Sequence, residues 1–198
     1  MAPDPSNRWL ETRHVSGDAY DATYEDRAAA GEDVHGEANF VQRFSPASVL
    51  DAGCGTGRVG RELGRRGINV VGVDIDPDML ATARRKAPDV DWRIADLATV
   101  DLQSSFDVAV LAGNVMIFLT PGTEAPVVAN IARHLHRGGV LIAGFQLIRR
   151  DLTIERCDEI AREAGLILSE RYSTWDREPW HAGSDYAVSV HRHAPDSG

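Results

Sequence analysis

From residue 48 onward, short apolar runs alternate with stretches of helical periodicity. Residues 48–52 form the first run, and a glycine-rich turn leads from it into a helical segment at 58–66 that Gly67 stops. A β-branched run at 69–73 follows. Asp76 is then suited to cap a helix through Lys86, with Pro77 at its first position. The same reading places strands at 91–95, 106–112 and 140–145, and helices at 126–136 and 153–164, the last ended by Gly165. Two final strands, 166–172 and 186–191, are joined by a segment without helical period and so form an antiparallel pair at a sheet edge. Before residue 48 the pattern is weaker. Helices are expected at 18–30 and at 37–44, the second ended by Ser45-Pro46, and the first dozen residues are expected to be poorly ordered.

Strands apolar along their whole length, alternating with helices, imply an α/β fold whose mostly parallel sheet is covered on both faces. A chain of 198 residues suits one such domain, with residues 1–45 as a helical cover segment and 46–193 as the ligand-binding domain. No run approaches the length of a membrane span, and the first thirteen residues lack an apolar signal core, so a cytoplasmic protein is expected. The formal charge of −9 disfavours a nucleic-acid partner, because such a surface repels phosphates. Lys86 is the only lysine, and Cys54 and Cys157 have no zinc spacing, so no metal site is expected.

The chemistry concentrates in the segment VLDAGCGTGR, residues 49–58. Glycines between a strand and a helix let a ligand approach bare backbone, at the strand ends where open α/β sheets bind their ligands. A phosphate-cradling loop would carry Lys-Ser or Lys-Thr after its last glycine, where this chain has Arg58-Val59. A dinucleotide fingerprint can be framed only as Gly55-x-Gly57-x-x-Gly60, which starts late and leaves Asp51 unexplained. A carboxylate at Asp51 would repel a pyrophosphate, but it suits a ligand that carries an ammonium and a sulfonium. Asp74 ends the second strand, 17 positions after Gly57, where an acid can accept from ribose hydroxyls. Asp96, after the third strand, could accept from an adenine amino group, and either acid could equally be a solvated or capping residue.

The runs VLDAGCGTGR, VVGVDIDPDML, ADL and FDVAVLAGN, in this order over residues 49–145, resemble the successive motifs of class I S-adenosylmethionine-dependent methyltransferases. The resemblance implies a Rossmann-like seven-stranded sheet of order 3-2-1-4-5-7-6 with an antiparallel C-terminal β-hairpin, and S-adenosylmethionine as the methyl donor. It implies that Asp51, Gly53, Gly55 and Gly57 surround the donor's methionine part and that Asp74 takes the ribose. Ile75, Asp96 and Leu97 would meet the adenine, and Asn114 would lie beside the reacting group.

The acceptor side is less marked. Family resemblance directs attention to Tyr20, Tyr24 and His35 in the cover, Asn114, Met116 and Phe118 after the fourth strand, and Gln146 after the fifth. Trp175, Trp180 and His181 lie between the last two strands. His35 and His181 are the candidate bases, although a loop histidine is more often merely solvated. Tyr20, Tyr24, Met116, Gln146, Trp175 and Trp180 are candidate acceptor contacts. The fourth strand is not followed by Asn-Pro-Pro-Tyr or Asp-Pro-Pro-Tyr, and no cysteine is placed to attack cytosine. The expectation is in-line transfer to a small-molecule acceptor, driven mainly by positioning and desolvation. An NAD(P)-dependent oxidoreductase and a non-catalytic module that binds S-adenosylmethionine are the competing readings.

Overall fold

Side chains of a strand alternate between sheet faces, and this chain puts apolar groups on both. Val49, Val70, Val108, Val110, Val140 and Ile142 enter one core, while their neighbours Leu50, Val71, Ala109, Leu111, Leu141 and Ala143 enter the other. A strand buried on both faces needs helices on both, and the computed structural model, which describes residues 7–12, 15–149 and 151–193, has that arrangement. Its strands are β1 (Ser48–Ala52), β2 (Asn69–Asp74), β3 (Asp91–Ile94), β4 (Phe106–Leu111), β5 (Leu135–Gln146), β6 (Leu166–Tyr172) and β7 (Tyr186–His193). They form one seven-stranded sheet of order β3-β2-β1-β4-β5-β7-β6. Strands β1 to β5 pair in parallel, and β7 runs antiparallel to both β5 and β6.

The helices are α1 (Arg8–Thr12), α2 (Gly17–Ala29), α3 (Gly36–Gln42), α4 (Arg58–Arg65), α5 (Pro77–Lys86), α6 (Val115–Phe118), α7 (Glu124–Arg133) and α8 (Ile154–Glu163). Capping explains where several begin. Asp76 accepts from Asp78 N–H ahead of α5, and Thr153 accepts from Arg156 N–H ahead of α8. Helix α3 contributes Ala38, Phe40 and Val41 to the same core as Val49 and Val59, so this part of the cover segment is built into the sheet's packing. Helices α7 and α8 lie over the opposite face with Val127, Ile131, Ile154 and Ile160.

Observed bounds differ from the expected ones at several elements, and β5 begins at Leu135 rather than at residue 140. The helix expected at 126–136 ends at Arg133, because Leu135 is already extended and paired with Phe106. Helix α6 is a single turn entered through Asn114 in a left-handed conformation, which leaves no period to detect. Helix α1 lies within the stretch expected to be poorly ordered; residues 1–6 of that stretch are outside the described residues. Among the described residues, no helix is long and apolar enough to cross a membrane.

Candidate active site

The carboxyl ends of β1, β2 and β4 open onto a cavity, at the place where open α/β sheets bind their ligands. Its floor is Gly53 to Thr56 of the glycine loop, which ends at Gly57. Gly53 and Cys54 both donate their N–H groups to the Val73 carbonyl, at 2.8 and 3.0 Å, which folds the loop across the end of β2. All three glycines have positive φ, but they are glycines for different reasons. A Cβ on Gly55 would meet nothing within 4 Å, so this residue leaves open space over the floor. A Cβ on Gly53 would strike the Val115 side chain at 2.5 Å, and one on Gly57 would strike the Trp92 ring at 2.5 Å. Gly57 does not line the cavity; its role is to let Trp92 pack behind the loop.

Three carboxylates line the cavity. Asp51 is 2% exposed and accepts the Gly60 N–H at 2.9 Å. Burial pushes its carboxyl up to about 7, against the Gly60 hydrogen bond and the charge of Arg58. Asp74 is also buried and held at both oxygens, accepting from Gly55 N–H at 2.7 Å and from Asp76 N–H at 2.9 Å. Burial likewise raises its carboxyl. A carboxylate offers about four acceptor positions, so Asp74 can fix the loop and still receive a ligand's hydroxyls. Asp96 is exposed at the cavity rim and accepts from Ala98 N–H at 2.8 Å. Ile75, Ala95 and Leu97 supply apolar wall between these acids.

The N-terminal elements lie against the opening. Asn7, Trp9 and Tyr20 line the cavity together with Phe118 and Leu119. Trp9 donates its indole N–H to Asp76 at 2.9 Å, and its ring stands edge-on to Phe118 and Tyr20, with centroids 5.3 and 6.1 Å apart. Helix α2 is docked by polar contacts. Gly17 N–H donates to Asp78 at 3.0 Å, Thr82 Oγ1 donates to Asp18 at 2.7 Å, and buried Asp21 accepts from Thr56 Oγ1 at 2.8 Å. Arg58, the residue after the loop, also lines the cavity; it is ion-paired with Glu37 and lies 4.4 Å from the Tyr24 ring centroid.

Of the residues that the sequence pointed to, Asp51, Gly53, Gly55, Asp74, Ile75, Asp96, Leu97 and Tyr20 line this cavity. Several others do not. Asn114 turns its side chain to β5, where its Oδ1 accepts the Gln146 N–H at 2.8 Å; Gly113 and Val115 line the cavity in its place. Gln146 is fixed by that same contact and is exposed. Met116 of α6 is buried in the core, whereas Phe118, two residues on and so on the other side of the turn, reaches the cavity. Tyr24 meets Tyr20 hydroxyl to hydroxyl at 3.4 Å but faces a separate groove behind α4. Trp175 packs on Phe40 and over Gly144, and donates to the Tyr186 hydroxyl at 3.1 Å. Trp180 packs on the core under Arg171, 5.5 Å from the guanidinium carbon.

Neither candidate base reaches the cavity. His35 stands at the N-terminus of α3 and faces the groove behind α4. His181 is exposed in the β6–β7 loop, where its Nδ1 accepts the Gly183 N–H at 3.2 Å. Residues that sequence reasoning missed include Asn7, Trp9, Arg58, Val115 and Leu119. Only Arg58 carried a local signal, its position directly after the glycines.

Comparison with known proteins gives a consistent picture. A family profile described as a methyltransferase domain matches residues 49–139. The crystal structure of a TehB-like S-adenosylmethionine-dependent methyltransferase from Corynebacterium glutamicum is 35% identical and superposes with a TM-score of 0.83, over 90% of this chain and 98% of that one. The dTDP-3-amino-3,4,6-trideoxy-alpha-D-glucopyranose N,N-dimethyltransferase of Streptomyces venezuelae is 30% identical, over 79% of this chain and 74% of its own length. A trans-aconitate 2-methyltransferase from Azoarcus sp. is 38% identical over 48% of this chain, a match that covers 37% of the relative.

Proposed function

The chain belongs to the class I S-adenosylmethionine-dependent methyltransferases, and on that premise we propose that it methylates a small acceptor that is already nucleophilic, without a histidine base. The donor is S-adenosylmethionine, and the oxidoreductase alternative falls with the family membership. The residues present suit this donor. Gly55 leaves open space above the loop floor, and the lining acids complement a ligand whose sulfonium and ammonium are both positive. Asp51 would take the ammonium, Asp74 the ribose hydroxyls, and Asp96 the adenine amino group, with Ile75 and Leu97 against the ring. When bound, the donor supplies both the electrophilic methyl group and its own leaving group. The protein's share is then to exclude water and to hold the acceptor atom in line, about 3–3.5 Å from its target.

The observation that carries the proposal is the lining itself. Among the described residues around the cavity there is no histidine and no lysine, and the acceptor end is formed by Trp9, Tyr20, Phe118 and Leu119. Such a wall positions and desolvates a nucleophile but provides no ready proton acceptor of its own, the three lining carboxylates being assigned to the donor. A neutral amine or a carboxylate meets that condition, and an unactivated alcohol does not. Two of the relatives are named for acceptors of these kinds, an amino sugar and trans-aconitate. Helices α1 and α2 lying across the opening favour an acceptor of metabolite size. The test is a donor-dependent methylation assay on panels of small amines, carboxylic acids and alcohols, with His35→Ala and His181→Ala alongside wild type. Turnover on amines or acids, with both variants within about threefold of wild type, is expected. Turnover confined to alcohols, or loss of activity in either variant at unchanged stability, would refute the proposal.

A further inference from the structure

The cavity lining contains three carboxylates and, among the described residues, a single cation, Arg58. Most of its guanidinium is already engaged. Nη1 donates to the Val34 carbonyl and, at 2.9 Å, to Glu37 Oε2, while Nη2 donates to Glu37 Oε1. The plane lies over the Tyr24 ring at 4.4 Å, and the side chain is 11% exposed. A guanidinium has five N–H donors, and these contacts use three. Two remain, the Nε–H and the second Nη2–H, for which no described residue serves as acceptor. These two N–H bonds lie side by side on one edge of the group, the fork that receives a carboxylate through two parallel hydrogen bonds. Glu37, Val34 and Tyr24 therefore hold the arginine while leaving one edge available.

The donor's amino-acid end carries an ammonium and a carboxylate on the same carbon, so a site for it needs an acid and a base close together. Asp51 and Arg58 are the pair that this cavity offers: both line it, and the charge of Arg58 acts on the Asp51 carboxyl. We propose that the free Nε–Nη2 edge of Arg58 binds the carboxylate of the donor's methionine moiety, beside Asp51 at the ammonium. The inference rests on the donor placement given above. It also assigns a purpose to α3, whose Glu37 orients the arginine from outside the glycine loop.

An acceptor acid would bring the same carboxylate chemistry, and the test separates the two sources. Binding of S-adenosylhomocysteine and of its decarboxylated analogue, which keeps the ammonium, is measured by calorimetry on wild type, Arg58→Met and Arg58→Lys. The expected result is a loss of about ten- to a hundredfold for S-adenosylhomocysteine in Arg58→Met, the scale of charge-assisted hydrogen bonds, with the analogue unchanged within twofold. Arg58→Lys should fall between, because it keeps the charge and loses the fork; it also serves as the readout if the methionine variant does not fold. An equal loss for both ligands makes Arg58 merely structural, and no loss for either assigns its free edge elsewhere; both results overturn the inference. Asp51→Asn, measured with the analogue, tests the ammonium placement independently.

Discussion

The hydroxyl of Thr56, inside the glycine loop, donates across 2.8 Å to the buried carboxylate of Asp21 in α2. Asp21 also accepts from Arg61 of α4 at 3.0 Å and from Lys86, the chain's only lysine, at the end of α5. One acid thus ties α2 to the glycine loop and to α4 and α5. Its cations hold its carboxyl below the usual range even though burial opposes this.

Replacing Asp21 by Ala should leave Thr56 and two cations without their shared acceptor. Removing one partner of a buried ion pair costs about 3–5 kcal/mol. Arg61 and Lys86 keep some contact with solvent, so a loss of roughly 2–3 kcal/mol is expected in urea unfolding, given that screening. Donor affinity should weaken as well, because the loop loses its fastening. An unchanged unfolding midpoint would mean that α2 is not coupled to the body through this residue.

The state of Asp51 should show in the pH dependence of binding. Its carboxyl, raised to about 7 by burial, keeps a proton that the unfolded chain releases near about pH 4. Stability from this group therefore falls as pH rises from about 4 to about 7 and changes no further above that. An ammonium beside Asp51 favours the ionised form, so affinity for S-adenosylhomocysteine should rise with pH up to about 7 and then level off. Asp74 is raised in the same direction and contributes in parallel. Asp51→Asn should bind more weakly with a flatter profile; an equally steep profile in that variant would assign the titration to Asp74.

Much of this was legible in the sequence because it is local. The strand and helix alternation, the cap at Asp76 and the glycines with their flanking acids are written in short segments, and Asp51, Asp74 and Asp96 do come together at the strand ends. What was hidden depends on contacts distant in sequence. Helix α2 docks through Gly17, Asp18 and Asp21 rather than through an apolar stripe, so periodicity could not reveal what it rests on. Asn114 carried the resemblance, yet the φ of 70° that starts α6 sends its side chain to Gln146. His35 and His181 were candidates by residue type alone, and residue type does not fix which groove a loop faces.

The dependence on Trp92 gives a packing test. A Cβ at Gly72, in the middle of β2, would lie 2.2 Å from the Trp92 ring, and one at Gly57 would lie 2.5 Å from it. The ring is buried and its indole N–H is held by the Ala87 carbonyl at 2.8 Å, so it cannot easily withdraw. Gly72→Ala should destabilise by about 1–3 kcal/mol through overpacking. Combined with Trp92→Leu, which opens space at the same point, the loss should be smaller than the sum of the single losses. Additive losses in thermal melts would show that the two positions do not compete for the same volume.

Trp9 separates two functions that one side chain performs. Its ring lines the cavity against Tyr20 and Phe118, and its N–H anchors α1 to Asp76, which in turn caps α5 and donates its own N–H to Asp74. Trp9→Phe keeps most of the ring and loses the anchor, whereas Trp9→Ala loses both. If α1 needs that hydrogen bond, worth about 0.5–1.5 kcal/mol, to stay over the cavity, Trp9→Phe should weaken S-adenosylhomocysteine binding by roughly 2- to 10-fold. Trp9→Ala should weaken it further and also raise the KM of the acceptor, once one is known, because the wall beside Phe118 is then missing. Binding by Trp9→Phe equal to wild type, with only Trp9→Ala impaired, would assign the residue's contribution to the ring and leave the Asp76 contact a consequence of packing.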